Sequence, residues 1–121
     1  MDAPGTVAVG VLDGDEVVAC VLAAQEPCPD PLPDGPTWRL RGMATAPEHR
    51  GGGLGRLVLG ALLTELGSRG AQVVWCNART PARSLYERAG FRVVGDPWDD
   101  PDIGPHVRMW TSLEHAATAD G

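Results

Sequence analysis

The chain contains no lysine; all ten of its basic residues are arginine. That excludes a P-loop, which ends in Gly-Lys-Ser/Thr. Cysteine is scarce too. Cys20, Cys28 and Cys76 are odd in number and widely spaced, with no Cys-x-x-Cys pair, so no metal site is expected. Reduced thiols in a cytoplasmic protein are the plain reading. No apolar run approaches the ~18 residues of a membrane span. Met1-Asp2-Ala3-Pro4-Gly5 has no basic stretch leading into an apolar one, so no signal peptide is expected. Positive charge is in deficit: the net charge of −6 argues against nucleic acid as a partner. A negative field instead favours a cationic small molecule, though only weakly.

What the sequence does have is glycine, concentrated in Arg50-Gly51-Gly52-Gly53-Leu54-Gly55. Each glycine inside a helix costs about 1 kcal/mol against alanine, so this run is a turn. A strand-like segment, Thr37 to Ala44, precedes it, and an apolar-periodic run, Leu54 to Leu66, follows. A side-chain-free turn at the mouth of a helix lets backbone N–H groups converge where the helix dipole is positive, which suits a phosphate or pyrophosphate. It is not the Rossmann fingerprint, because Leu57 stands where that pattern needs its last glycine.

With 121 residues and 43% apolar content, the chain is expected to form one domain, residues 1–121, around one core. Thr6 to Leu12 and Glu16 to Ala24 flank Asp13-Gly14-Asp15, a hairpin signal. Gln25 to Pro36 holds five prolines and reads as an extended connector, or alternatively as a flap over the site. In Trp38 to Ala44 apolar residues alternate with Arg39 and Arg41 until Gly42 breaks the period, which suggests a bulge. Leu54, Leu57, Val58, Ala61, Leu62 and Leu66 form a helical stripe, widened by Leu59 and Leu63, with Gly60 expected to allow close packing on a sheet. A buried strand at Gln72 to Cys76, a helix from Pro81 to Ala89 capped by Thr80, and strands at Phe91 to Val94 and His106 to Leu113 complete the order. Asp96 to Pro105 reads as an acidic loop. Asp2 to Gly5 and Glu114 to Gly121 are expected to be flexible ends.

The spacing Arg50-x-x-Gly53-x-Gly55 resembles the acyl-CoA loop of the GCN5-related N-acetyltransferases, the GNAT superfamily. Met43-Ala44-Thr45-Ala46-Pro47-Glu48-His49-Arg50 is similar to the family's approach to that loop, and Leu85-Tyr86-Glu87-Arg88-Ala89-Gly90-Phe91 to a second signature. The resemblance implies an α/β (α+β) fold: a mixed, mostly antiparallel sheet with a central splayed parallel pair, in the order β-β-β-α-β-α-β-β. It implies acetyl-CoA as cosubstrate, held by Arg50, Gly51, Gly52, Gly53, Leu54, Gly55 and Arg56, with the backbone at Met43, Ala44 and Thr45 along the pantetheine arm. Tyr86 stands where relatives use a tyrosine hydroxyl to protonate the CoA sulfur. Arg79 takes the place of an asparagine common in relatives; it either binds a CoA phosphate or caps the region. The general base is not given by the pattern: relatives often place Glu where this chain has Arg39 and Arg41, and His106 is the candidate. Asp99, Asp100 and Asp102 are candidates for holding a cationic acceptor. The resemblance starts close to the family's second strand, so sheet surface that its first helices would cover is left open, and a homodimer is one way to cover it. The function implied is N-acetylation of a primary amine, of a small molecule, by direct attack. The alternative is a non-catalytic CoA-binding or interaction module on the same fold.

Overall fold

Asp13-Gly14 turns the chain back on itself, joining β1 (Val7–Asp13) to β2 (Glu16–Gln25) in an antiparallel hairpin. The structure, a computed structural model, describes residues 6–49, 53–102 and 104–113; the terminal segments expected to be flexible lie outside them. After the proline-rich segment comes β3 (Thr37–Thr45), then α1 (Leu54–Ser68), β4 (Val73–Arg79), α2 (Arg83–Arg88), β5 (Arg92–Asp100) and β6 (Gly104–Ser112). The six strands form one sheet in the order β1-β2-β3-β4-β6-β5. Every pairing is antiparallel except β3 with β4. This is the mixed α/β architecture expected from the sequence.

Alternation sorts the strands into two faces. Val21, Trp38, Leu40, Val74 and Met109 face the helices and join Val58, Leu59, Leu62 and Leu66 of α1 in the core. The helical stripe is turned from the expected one. Leu57 is 59% exposed and Ala61 is exposed, whereas Leu59 is fully buried. Leu59 and Leu63, which were expected to widen the stripe, border a groove shared with Leu85 and Ala89 of α2. The expectation fails only at Leu57 and Ala61, which face outward. Gly60 is not a close-packing device, since a Cβ there would meet nothing within 4 Å.

The second half departs further from expectation. β4 runs on to Arg79, and Thr80 opens a 3₁₀ turn (Thr80–Ala82) without forming a side-chain cap. The presumed acidic loop is mostly strand, because β5 continues to Asp100 and pairs with β6 through Trp98↔His106 and Asp99↔Pro105. A bulge between Val94 and Trp98 hides this continuity in the sequence. Pro97, which lacks an N–H, falls inside that irregular stretch. Gly95 sits there at φ 76°, and a Cβ would approach Asp30 Oδ2 to 2.8 Å.

Asp30 comes from residues 26–36, which strap the sheet face opposite the helices. Trp75, only 1% exposed, donates Nε1–H to the Glu26 carbonyl at 2.9 Å. Asp30 pairs with Arg108 at 2.9 Å, and Glu26 with Arg39 at 3.0 Å. Arg39 lies over Trp75 at 5.0 Å, and Arg108 stands 5.5 Å from Trp75 and 5.2 Å from Trp98. Each such cation–π contact contributes about 0.5 to 2 kcal/mol. The proline-rich segment is therefore a connector pinned to an arginine–tryptophan ladder across β3, β4, β6 and β5.

Candidate active site

The parallel pair closes for only three residues: Thr37↔Val73, Trp38↔Val74 and Arg39↔Trp75. Beyond Arg39 and Trp75 the two strands continue but no longer pair. Gly42, at φ 69°, contributes to the divergence. Against β2 the register passes from Leu22↔Arg41 to Cys20↔Ala44, so Gly42 and Met43 oppose one residue and form a bulge. The left-handed conformation there favours glycine, and the bulge bends β3 away from β4. Breaking the parallel ladder in mid-sheet leaves the facing edges of Leu40–Ala44 and Cys76–Arg79 unpaired with each other, while β3 keeps its pairing with β2 and β4 its pairing with β6.

The space between the splayed strands is a cleft of about 810 Å³. Met43, Ala44 and Thr45 form one wall and Arg79 stands on the other. From α2, on the helix side, Tyr86 reaches into it. Tyr86 is 6% exposed and packs edge-on against Phe91 with ring centroids 5.4 Å apart. Burial, reinforced by neighbouring Cys76, raises its hydroxyl pKa above the usual phenol value, so it stays protonated at neutral pH. Cys76 also lines the cleft; burial pushes its thiol up to about 12, which leaves it an inert, neutral side chain.

His106 meets Tyr86 across this cleft from β6. It is 5% exposed, and its Nδ1 lies 2.8 Å from the Gly104 carbonyl. A carbonyl only accepts, so this contact calls for a proton on Nδ1, and in that tautomer Nε2 is the nitrogen with the lone pair. Trp98 stacks on the imidazole at 5.5 Å and 18°. The two groups enter from different faces: Tyr86 from the helix side, His106 from the side of the ladder. A proton acceptor and a proton donor thus border one cavity from opposite sides.

The residues expected to hold the phosphates divide. Arg50, Gly51 and Gly52 lie outside the described residues. Gly53 is the N-cap of α1, at φ 83°, with no side-chain cap and no acidic residue in the first turn. Gly53 thus offers no capping side chain to the N–H groups of Leu54, Gly55 and Arg56, which suits the helix mouth to an anion. Among the described residues, Asp99, Asp100 and Asp102 do not line the cleft; Asp100 Oδ1 instead accepts from the Asp102 N–H at 2.8 Å within the β5–β6 turn. Two contributors were not assigned roles from sequence. Arg41 borders the cleft on the ladder side, and its alternation with Trp38 and Leu40 was the available signal. Trp98, which orients His106, was hidden by the β5 bulge.

Comparison with known proteins agrees with this geometry. The model of the Acetyltransferase (GNAT) family matches residues 1–91. The uncharacterized N-acetyltransferase YitI of Bacillus subtilis is 33% identical over 112 residues, covering 92% of this chain and 74% of that protein. The [ribosomal protein bS18]-alanine N-acetyltransferase of Haemophilus influenzae is 40% identical over 57 residues, 46% of this chain and 39% of that one. Among solved structures, an aminoglycoside 6'-N-acetyltransferase complexed with coenzyme A superposes with a TM-score of 0.73 at 18% identity, covering 91% of this chain and 74% of that one. The ribosomal-protein-S18-alanine N-acetyltransferase of Escherichia coli gives 0.70 at 21% identity, with 93% and 72% covered. A short parallel pair opening into a cleft behind a glycine-led helix, together with the match over three quarters of the chain, makes this protein a member of the GNAT acetyltransferase family.

Proposed function

We propose that the chain transfers the acetyl group of acetyl-CoA to a primary amine of a small molecule by direct attack. The observation that carries this reading is the splay of β3 from β4, with Tyr86 and His106 on opposite sides of the opening. The backbone of Met43, Ala44 and Thr45, on the stretch of β3 that no longer pairs with β4, borders the pantetheine arm. The pyrophosphate lies against the loop of Arg50 to Arg56, at the uncapped mouth of α1. Arg79, exposed at the end of β4, supplies charge at the rim of the cleft.

In this reading His106 Nε2 accepts a proton from the attacking amine, either directly or through one water. A nitrogen–carbon bond forms and the carbon–sulfur bond breaks. Tyr86 gives its phenolic proton to the departing thiolate, and solvent restores it while taking the proton from His106. The products are an amide and the free CoA thiol. Cys76 has no part, because a thiol held at a pKa of about 12 is not a nucleophile at neutral pH.

Two further elements belong to the same reading. The protein acts in the cytoplasm, where acetyl-CoA and reduced cysteines coexist. It forms a homodimer through the sheet face opposite the helices, where Leu22, Val94 and Trp110 are only partly buried. A light-scattering mass of one chain at micromolar concentration would count against the dimer. The activity is tested by thiol release from acetyl-CoA across a panel of amines, with calorimetry on CoA alone beside it. Amine-dependent release supports the transferase; CoA binding without release for any amine would point to a binding module instead.

A further inference from the structure

The ionisable side chains around the cleft run opposite to the charge of the whole molecule. The chain carries a net −6, yet among the described residues no aspartate or glutamate lines the cleft, whereas Arg41, Arg79 and His106 do. Electrostatics in a cavity is set by its nearest charges, because salt screens the rest beyond roughly 8 to 10 Å. Three carboxylates on this side of the molecule are engaged in contacts of their own. Asp30 is bound to Arg108, and the Asp100 carboxylate closes its own turn. Glu26 is shared: its Oε2 lies 3.0 Å from Arg39 Nη1, while its Oε1 is 3.5 Å from Arg41 Nη2. One carboxylate thus serves two guanidiniums, and the looser contact is with Arg41, whose side chain is 52% exposed. Most of the planar donor fork of Arg41 is left for another acceptor.

The position of Arg41 matters as much as its charge. Strand register puts it on the ladder face of β3, the face His106 occupies on β6 and the one opposite α1. It is therefore across the sheet from the helix mouth where the cosubstrate's phosphates are placed. We propose that the acceptor is a primary amine that also bears a carboxylate: Arg41 holds the carboxylate while the amine nitrogen is presented to His106 Nε2. Polyamines and aminoglycosides are disfavoured, since each additional ammonium would face Arg41 and Arg79 with no carboxylate in the described lining. This inference rests on the acetyltransferase reading and narrows its substrate class.

The test compares amines that differ only in that charge. β-Alanine and γ-aminobutyrate are assayed against their carboxamides, with spermidine and phosphoethanolamine as further arms, by thiol release from acetyl-CoA with the full chain. For at least one acid, kcat/KM should exceed that of its carboxamide about tenfold or more, the factor a charge-assisted hydrogen bond supplies. Arg41→Gln should bring that ratio toward one, while Arg69→Gln, a change in an exposed pair at the far end of α1, should keep it. The ratio is internal to each protein sample, so partial loss of folded R41Q does not disturb it. Equal rates on acids and carboxamides, or faster release with spermidine, would overturn the inference and leave the acetyltransferase intact. A preference for phosphoethanolamine over both acids would overturn the carboxylate assignment. No amine-dependent release with any of these amines would count against both readings.

Discussion

Replacing Tyr86 with phenylalanine isolates one oxygen atom. The ring keeps its edge-on contact with Phe91, and the hydroxyl makes no hydrogen bond to a described residue that its loss would break. Folding stability should therefore change by no more than about 0.5 kcal/mol. Turnover should change far more. A positioned general acid contributes roughly 10² to 10⁴ in rate, about 3 to 5 kcal/mol of barrier. Burial raises the Tyr86 pKa above the free-phenol value, so the group is fully protonated at neutral pH and can act there only as a donor. In single-turnover thiol release, Tyr86→Phe should slow the chemical step by a factor in that range. CoA affinity by calorimetry should stay within about twofold. An unchanged single-turnover rate, with chemistry established as the slow step, would remove Tyr86 from the mechanism.

Other consequences can be checked on the folded chain itself. Leu59→Ala should destabilise by about 2 to 5 kcal/mol in urea unfolding, whereas Leu57→Ala, at a 59% exposed site, should stay within about 0.5 kcal/mol; the reverse order would put the wrong face of α1 on the core. Gly42→Ala should cost about 1 to 2 kcal/mol from its left-handed backbone alone, because the new Cβ meets Leu22 at an ordinary 3.5 Å; an unchanged unfolding midpoint would contradict the bulge. Stability should be flat through pH 8 and fall above about pH 9. There the unfolded chain loses protons from Cys76 and then Tyr86 that the folded chain retains, since both folded pKa values are raised by burial. The loss should be on the order of 1 kcal/mol by pH 10, and Cys76→Ala should leave only a shallower fall, from the remaining raised groups; a flat profile to pH 10.5, roughly the unfolded tyrosine range, would contradict the burial of both.

Much of this fold was legible because its signals are local. Asp13-Gly14 dictates a hairpin, and the alternation of Trp38 and Leu40 with Arg39 and Arg41 marks a strand with one buried face. Gly42 announced the bulge that opens the cleft. Where reading failed, the deciding contact was distant in sequence. The buried side of α1 is set by its packing on the sheet, with β1 and β2 far back along the chain. The acidic stretch around Trp98 looked like a solvated loop because Gly95 and Pro97 interrupt its alternation, yet cross-strand pairing with His106 makes it strand. The site shows the same division. Tyr86 and His106 could be nominated singly from their surroundings, but that they border one cavity from opposite faces is a property of the crossover. The net charge says nothing of the cleft itself: aspartates and glutamates dominate the total and are absent from the described lining.

The central claim is that the opening between β3 and β4, continued by the glycine-led mouth of α1, is where coenzyme A lies. Heteronuclear NMR of the full chain titrated with CoA tests it most directly. The largest amide shifts should fall on Met43 to Thr45 and on Gly51 to Arg56, with smaller ones along Asn77 to Arg79 and the hairpin of β1 and β2 unmoved. Shifts centred on another surface, or none at millimolar CoA, would contradict the account.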